Sequence, residues 1–113
     1  MALSTAFLDH EPSRAEVDDR PGPLMLEFGA PWCGHCRAAQ PLIAAAFARH
    51  PGVGHLKVED GPGRRLGRSF GVKLWPTLIF LDRGREVARL VRPGDPAAIA
   101  EALAAIDDGT AHG

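Results

Sequence analysis

The stretch Gly29-Ala-Pro-Trp-Cys-Gly-His-Cys-Arg-Ala-Ala-Gln-Pro-Leu42 sets two cysteines, Cys33 and Cys36, three positions apart. A tryptophan precedes the pair, a histidine lies inside it and a proline follows five residues later. Such a pair is half of a metal site, a structural staple or a redox couple. Its surroundings separate the three. Upstream, Leu24-Met-Leu-Glu-Phe28 is a short, almost continuous apolar run, as in a strand covered on both faces. Downstream, Ala39, Leu42, Ile43, Ala46 and Phe47 form one stripe of a helix running from Gly34 to about Arg49. Pro41 is expected to kink this helix rather than end it. Cys33 therefore falls where a strand ends and a helix begins.

That place has chemical consequences. Backbone N–H groups of the first helical turn point at Cys33, and the helix dipole favours negative charge there, so both stabilise a thiolate. Cys36 lies one turn further on the same face, so the two sulfurs can close a small disulfide ring. In a redox couple Cys33 attacks a substrate disulfide and Cys36 resolves the mixed disulfide. A cationic His35 near Cys33 would stabilise the reduced form and make the oxidised form a stronger oxidant; roughly 30 mV corresponds to about 1.4 kcal/mol. A zinc site needs four ligands. Only His35, His50, His55 or carboxylates remain to complete one, and no second CxxC or HxxxH exists. An inert buried pair fits poorly with a CxxC that opens a helix directly after a strand.

Composition bounds the rest. The chain has 113 residues, 45% hydrophobic and 24% charged, which reads as one globular domain spanning 1–113 with a core of its own. A net charge of -1 gives no electrostatic case for nucleic acid or an anionic membrane as partner. No apolar run approaches the roughly 20 residues that span a bilayer. The start, MALSTAFLDHEP, lacks the basic and apolar regions of a secretory signal. Two cysteines so close in sequence do not make a disulfide scaffold.

Along the chain, residues 1–20 are a poorly defined element in which Phe7-Leu8 reads as a short edge strand. Ser13 with Glu16 is a capping-box pattern over 13–19. Val53–Val58 reads as a strand, and Gly63–Phe70 as a short helix carrying Arg64, Arg65 and Arg68 on a solvated face, with Gly71 closing it. Thr77–Leu81 and Glu86–Val91 read as a hairpin around Asp82-Arg-Gly-Arg85. Asp95-Pro96 opens a last helix with a buried stripe of Ile99, Leu103 and Ile106. Residues 107–113 read as a frayed tail. A parallel βαβ unit followed by an antiparallel hairpin implies an α/β fold with a mixed central sheet and helices on both faces. His10, His50, His55 and His112 read as ordinary surface or loop residues.

Leu26-Glu-Phe-Gly-Ala-Pro-Trp-Cys-Gly-His-Cys-Arg37 resembles the active-site segment of the thioredoxin superfamily, and in detail the catalytic domains of protein disulfide isomerases. Pro41, Lys57, Gly71-Val-Lys-Leu-Trp-Pro-Thr77, the Gly84 turn and the final helix extend the resemblance over about residues 20–106. It implies a thioredoxin fold with a sheet of four to five strands. It further implies that Pro76 is a cis-proline shaping the substrate groove and that the backbone of Trp75 pairs with an extended substrate. Glu27, a carboxylate stripped of water inside an apolar strand, is implied to take and return the proton of Cys36, with Lys57 modulating it by partial pairing. Trp32 and Gly34 join Trp75 and Pro76 in the substrate groove. Gly29 stands where the family usually has an aromatic residue, which predicts looser packing beneath the active site. The tail Thr110-Ala-His-Gly113 is not an endoplasmic-reticulum retention signal.

The expected function is thiol–disulfide exchange on protein disulfides by a monomer, with no cofactor beyond the Cys33–Cys36 couple and no metal. Partners would be protein substrates and a redox partner, either reductase or oxidase. The N-terminus favours a cytoplasmic reductase; His35 favours an oxidase or isomerase; the balance leans slightly to the reductase. A non-enzymatic adaptor using the groove around Trp32 and Pro76, and a metal-binding module, are the rival classes.

Overall fold

The computed structural model describes residue 3 and residues 5–108. In order along the chain come α1 (Arg14–Asp18), β1 (Pro23–Gly29), α2 (Gly34–Phe47), β2 (Gly54–Glu59), α3 (Leu66–Ser69), β3 (Thr77–Asp82), β4 (Arg85–Val91) and α4 (Pro96–Ile106). Local chemistry fixes most of these boundaries. Ser13 and Glu16 cap α1 reciprocally: the Ser13 hydroxyl accepts from the Glu16 N–H at 3.1 Å, and Glu16 Oε1 accepts from the Ser13 N–H at 2.8 Å. Asp95 Oδ1 accepts from the Ala97 N–H at the start of α4, where Pro96 supplies a preset φ. Arg83 and Gly84 both take positive φ, the backbone that a tight hairpin between β3 and β4 needs. α2 continues through Pro41.

The strands lie in the order β2-β1-β3-β4, with β1 parallel to β2 and the other two pairings antiparallel. β1 is thus internal, and its alternate residues feed two separate cores. On one side Met25, Leu78 and Phe80 pack under Ile43 and Phe47 of α2 and Ile99, Leu103 and Ile106 of α4. On the other, Leu24, Leu26, Phe28 and Ile79 meet Val17 of α1, with Leu66 and Phe70 at α3. Glu27 shares the Met25 face by strand period and so points towards α2.

Two elements differ from expectation. Phe7 makes a single parallel bridge to Lys57 rather than a strand, with the Leu8 N–H donating to the Lys57 carbonyl at 2.9 Å, because the chain bends away at Asp9 and His10. Among the described residues the sheet is therefore four-stranded. The helix expected over 63–70 covers only Leu66–Ser69, because Gly61 and Gly63 adopt positive φ and hold the backbone out of helix until Arg65. Arg64 consequently lies before the helix, 3.6 Å from Glu59. Of the tail, only Asp107 and Asp108 are described; 109–113, His112 included, lie outside the described residues.

Replacing Asp95 with Ala should cost about 1 kcal/mol, read from urea denaturation. An unchanged midpoint would mean that this cap does not support α4.

Candidate active site

β1 ends at Gly29, and the turn that follows is closed by the Cys33 N–H donating to the Ala30 carbonyl at 3.1 Å. Cys33 is the N-cap of α2. Its extended backbone aims Sγ back at the first turn, where it accepts from the Cys36 N–H at 3.2 Å. A sulfur therefore occupies the place usually held by a capping oxygen, and a thiolate there gains from both the N–H and the helix dipole. Both sulfurs are free thiols, and both side chains are buried, with 7% exposure at Cys33 and 3% at Cys36. Burial, reinforced by the Cys33 sulfur and then by the negative charge of Glu27, pushes the Cys36 thiol up to about 12. The two cysteines thus have unlike surroundings: Cys33 Sγ caps the helix, whereas Cys36 is held in its protonated form by burial.

Glu27 is fully buried on β1. Its Oε2 accepts from Gln40 Nε2 at 2.7 Å, and the same amide group donates to the Cys36 carbonyl at 2.8 Å. Its Oε1 lies 2.9 Å from His55 Nε2. Lys57, also buried, reaches the carboxylate only through Gln40: its Nζ donates to Gln40 Oε1 at 3.2 Å and lies 4.6 Å from the centroid of the Phe7 ring. The expected partial pairing of Lys57 with Glu27 is therefore relayed by an amide. His55, read from sequence as an ordinary surface or loop residue, is instead buried and stacked on Phe47 at 5.1 Å between ring centroids. The signal that could have found it is strand period: His55 and Lys57 are two apart on β2, opposite Met25 and Glu27, so all four share a face. Gln40 carried a similar signal, one helical turn after Cys36.

On the outer side, Trp32 is 71% exposed and meets Trp75 edge to face at 5.4 Å. Trp75 Nε1 donates to Asp60 Oδ2 at 2.9 Å, which fixes the indole beside the pair. The Trp75–Pro76 bond is cis. The Trp75 carbonyl accepts from Arg92 Nε at 2.8 Å. Gly34 begins α2 beside open space, and His35 is exposed in the same turn. At Gly29 the expectation of loose packing gives way to its opposite. A Cβ there would sit 2.5 Å from Cys36 Sγ, so the glycine is what lets the sulfur pack onto the strand. Among the described residues, no group of three or more His, Cys, Asp or Glu side chains could hold a metal ion, and no helix is long and apolar enough to cross a membrane.

The family model for thioredoxin matches residues 4–105. The chain belongs to the thioredoxin family. It is similar to human protein disulfide-isomerase A2, 42% identical over 86 residues covering 71% of this chain and 16% of that protein. It is similar to thioredoxin of Chlamydia muridarum, 39% identical over 70 residues covering 62% and 69%. Among solved structures it resembles thioredoxin 2 from Pseudomonas aeruginosa PAO1 in its reduced form, with 57% identity and a TM-score of 0.83 over 95% of this chain and 99% of that one. The chain thus spans a small part of the isomerases it matches, 16% of human A2 and 24% of Neurospora crassa erp38. It spans almost the whole of the Pseudomonas thioredoxin.

Two outcomes follow. Gly29→Ala should destabilise the reduced protein by about 1–3 kcal/mol through overpacking against Cys36, measured by urea denaturation; a neutral effect would mean that the sulfur moves freely. The proton on Cys36 also sets a sign for pH. The folded thiol titrates near 12 against a usual 9.0, so between those values the folded chain holds a proton that the unfolded chain has lost. The reduced protein should therefore lose stability as pH rises through that window, and Cys36→Ser should flatten the decline.

Proposed function

We propose that the chain is a thiol–disulfide oxidoreductase that reduces protein disulfides through Cys33 and Cys36. The Cys33 thiolate attacks a substrate disulfide, and one substrate sulfur leaves and takes a proton. Cys36 gives its proton to Glu27 and attacks the Cys33 sulfur of the mixed disulfide. The second substrate sulfur leaves as a thiol. The substrate gains two electrons, and the enzyme is left with a Cys33–Cys36 disulfide that a reductase partner must recharge. In this reading Trp32, Gly34, Trp75 and Pro76 form the groove in which the substrate lies, and His35 and Lys57 tune the couple electrostatically.

The observation that carries the reading is the Cys33 sulfur capping α2 beside a Cys36 that burial keeps protonated. A nucleophile and a resolving thiol of such unlike character are what the two steps require. The reductase direction, in a reducing compartment such as the cytoplasm, is favoured by the likeness to a Pseudomonas thioredoxin over nearly the whole of both chains. A second reading, an oxidase or isomerase, is favoured by His35 and by the 42% identity to human disulfide-isomerase A2.

Reduction of a protein disulfide by Cys33→Ser should be abolished, whereas Cys36→Ser should stall as a trapped mixed disulfide visible by mass spectrometry. Full turnover by Cys33→Ser would remove the mechanism. Cellular complementation by a chain lacking both cysteines would favour the adaptor instead.

A further inference from the structure

Glu27 is buried with a second titratable group in direct contact, and that group has no part in the exchange described above. The side chains of Glu27 and His55 are both essentially sealed from solvent, and their polar atoms lie 2.9 Å apart. Phe47 of α2 stacks on the imidazole with its plane tilted by 23°, which fixes the direction of Nε2. An ionised carboxylate only accepts hydrogen bonds, so Nε2 carries the proton of this contact whenever Glu27 is charged. We propose that His55 is a positioning residue for the proton transfer: its Nε2–H holds Glu27 towards Cys36 and keeps Oε1 hydrogen-bonded while the carboxylate takes and returns the proton that Cys36 releases. This rests on the reading of Glu27 as the proton acceptor of Cys36.

Charge accounting supports the assignment. When the S–H bond of Cys36 breaks and an O–H bond forms on Glu27, one buried negative charge moves from oxygen to sulfur and the total is unchanged. The imidazole donates to Oε1 before and after, so no donor is orphaned in a site where that is costly. The thiolate then attacks the Cys33 sulfur, the second substrate sulfur departs, and the proton leaves with it. Among the described residues, the surroundings of the pair come from α2, β2, β3 and α4. Cys33 and Cys36 come from the start of α2; Lys57 comes from β2 and is bound to Gln40. Leu78 lies opposite Glu27 on β3, and the buried face of α4 is apolar.

The test uses the full reduced chain mixed rapidly with 5,5′-dithiobis(2-nitrobenzoate), following thionitrobenzoate release across pH. The first phase reports attack by Cys33, and the second reports resolution by Cys36. Removing the donor with His55→Leu disfavours the charged carboxylate, so the acid limb of the second phase should move about one unit to higher pH, which is about a tenfold lower rate on that limb. The first phase should not move. His55→Gln, which keeps a donor, should recover most of the loss. A second phase in His55→Leu that superimposes on the wild type, with Glu27→Gln still slowed, overturns the role of His55 and leaves Glu27 standing. An unaffected Glu27→Gln overturns both. Should His55→Leu fail to fold, the wild type decides. The ¹⁵N shift of His55 Nε2 and the ¹³C shift of the Glu27 carboxyl should respond at one common pH midpoint, and independent midpoints would contradict the pair.

Discussion

Glu27 lies on an internal strand with none of its surface in water, and the active end of the molecule is arranged around that fact. An unpartnered carboxylate in such a place would be costly enough to be protonated or expelled. Here each oxygen has a polar neighbour, Gln40 for one and His55 for the other. Gln40 in turn ties the carboxylate to the carbonyl of Cys36 and to the ammonium of Lys57. Strand β1, helix α2 and strand β2 are thereby joined by a polar cluster inside an otherwise apolar layer. Phe7 closes over the cluster from the N-terminal segment, against both Lys57 and Gly29.

The same burial gives the two cysteines unlike surroundings. Cys33 caps a helix in a cluster that Trp75 packs against, whereas Cys36 packs onto the strand above Gly29, within the field of Glu27. A buried thiol that keeps its proton cannot resolve a mixed disulfide until something takes that proton. Burial is the main reason that Cys36 keeps its proton, and the Glu27 charge adds to it; in the proposed mechanism the same carboxylate takes that proton. Lys57 is hydrogen-bonded to the carboxylate only at one remove, through the Gln40 amide.

Much of this was legible in the sequence because the signals are local. A CxxC directly after an apolar strand fixes the cap and the helix; Ser13 with Glu16, and Asp95 with Pro96, mark helix starts by their own side chains. The cluster around Glu27 was half legible, since a lone carboxylate in an apolar run asks for a partner without naming it. His55 was missed because a histidine two residues after the Val53 that opens the run looks like a strand entrance at the surface. Only the parallel register Glu27–Lys57 turns its ring inward. Gly29 misled for the opposite reason: a missing side chain suggested a gap, and a neighbouring sulfur fills it. The extent of α3 depended on backbone angles at Gly61 and Gly63 that composition does not reveal.

The most direct test of the account is the reduction potential of the Cys33–Cys36 couple, measured by equilibrating the purified protein in glutathione buffers. The account predicts a reversible disulfide with a potential near about -270 mV, the range of a thioredoxin-type reductant. A potential near about -180 mV would contradict the reductase direction and make His35 the dominant influence. Failure to form the disulfide at any poise would contradict the redox function itself.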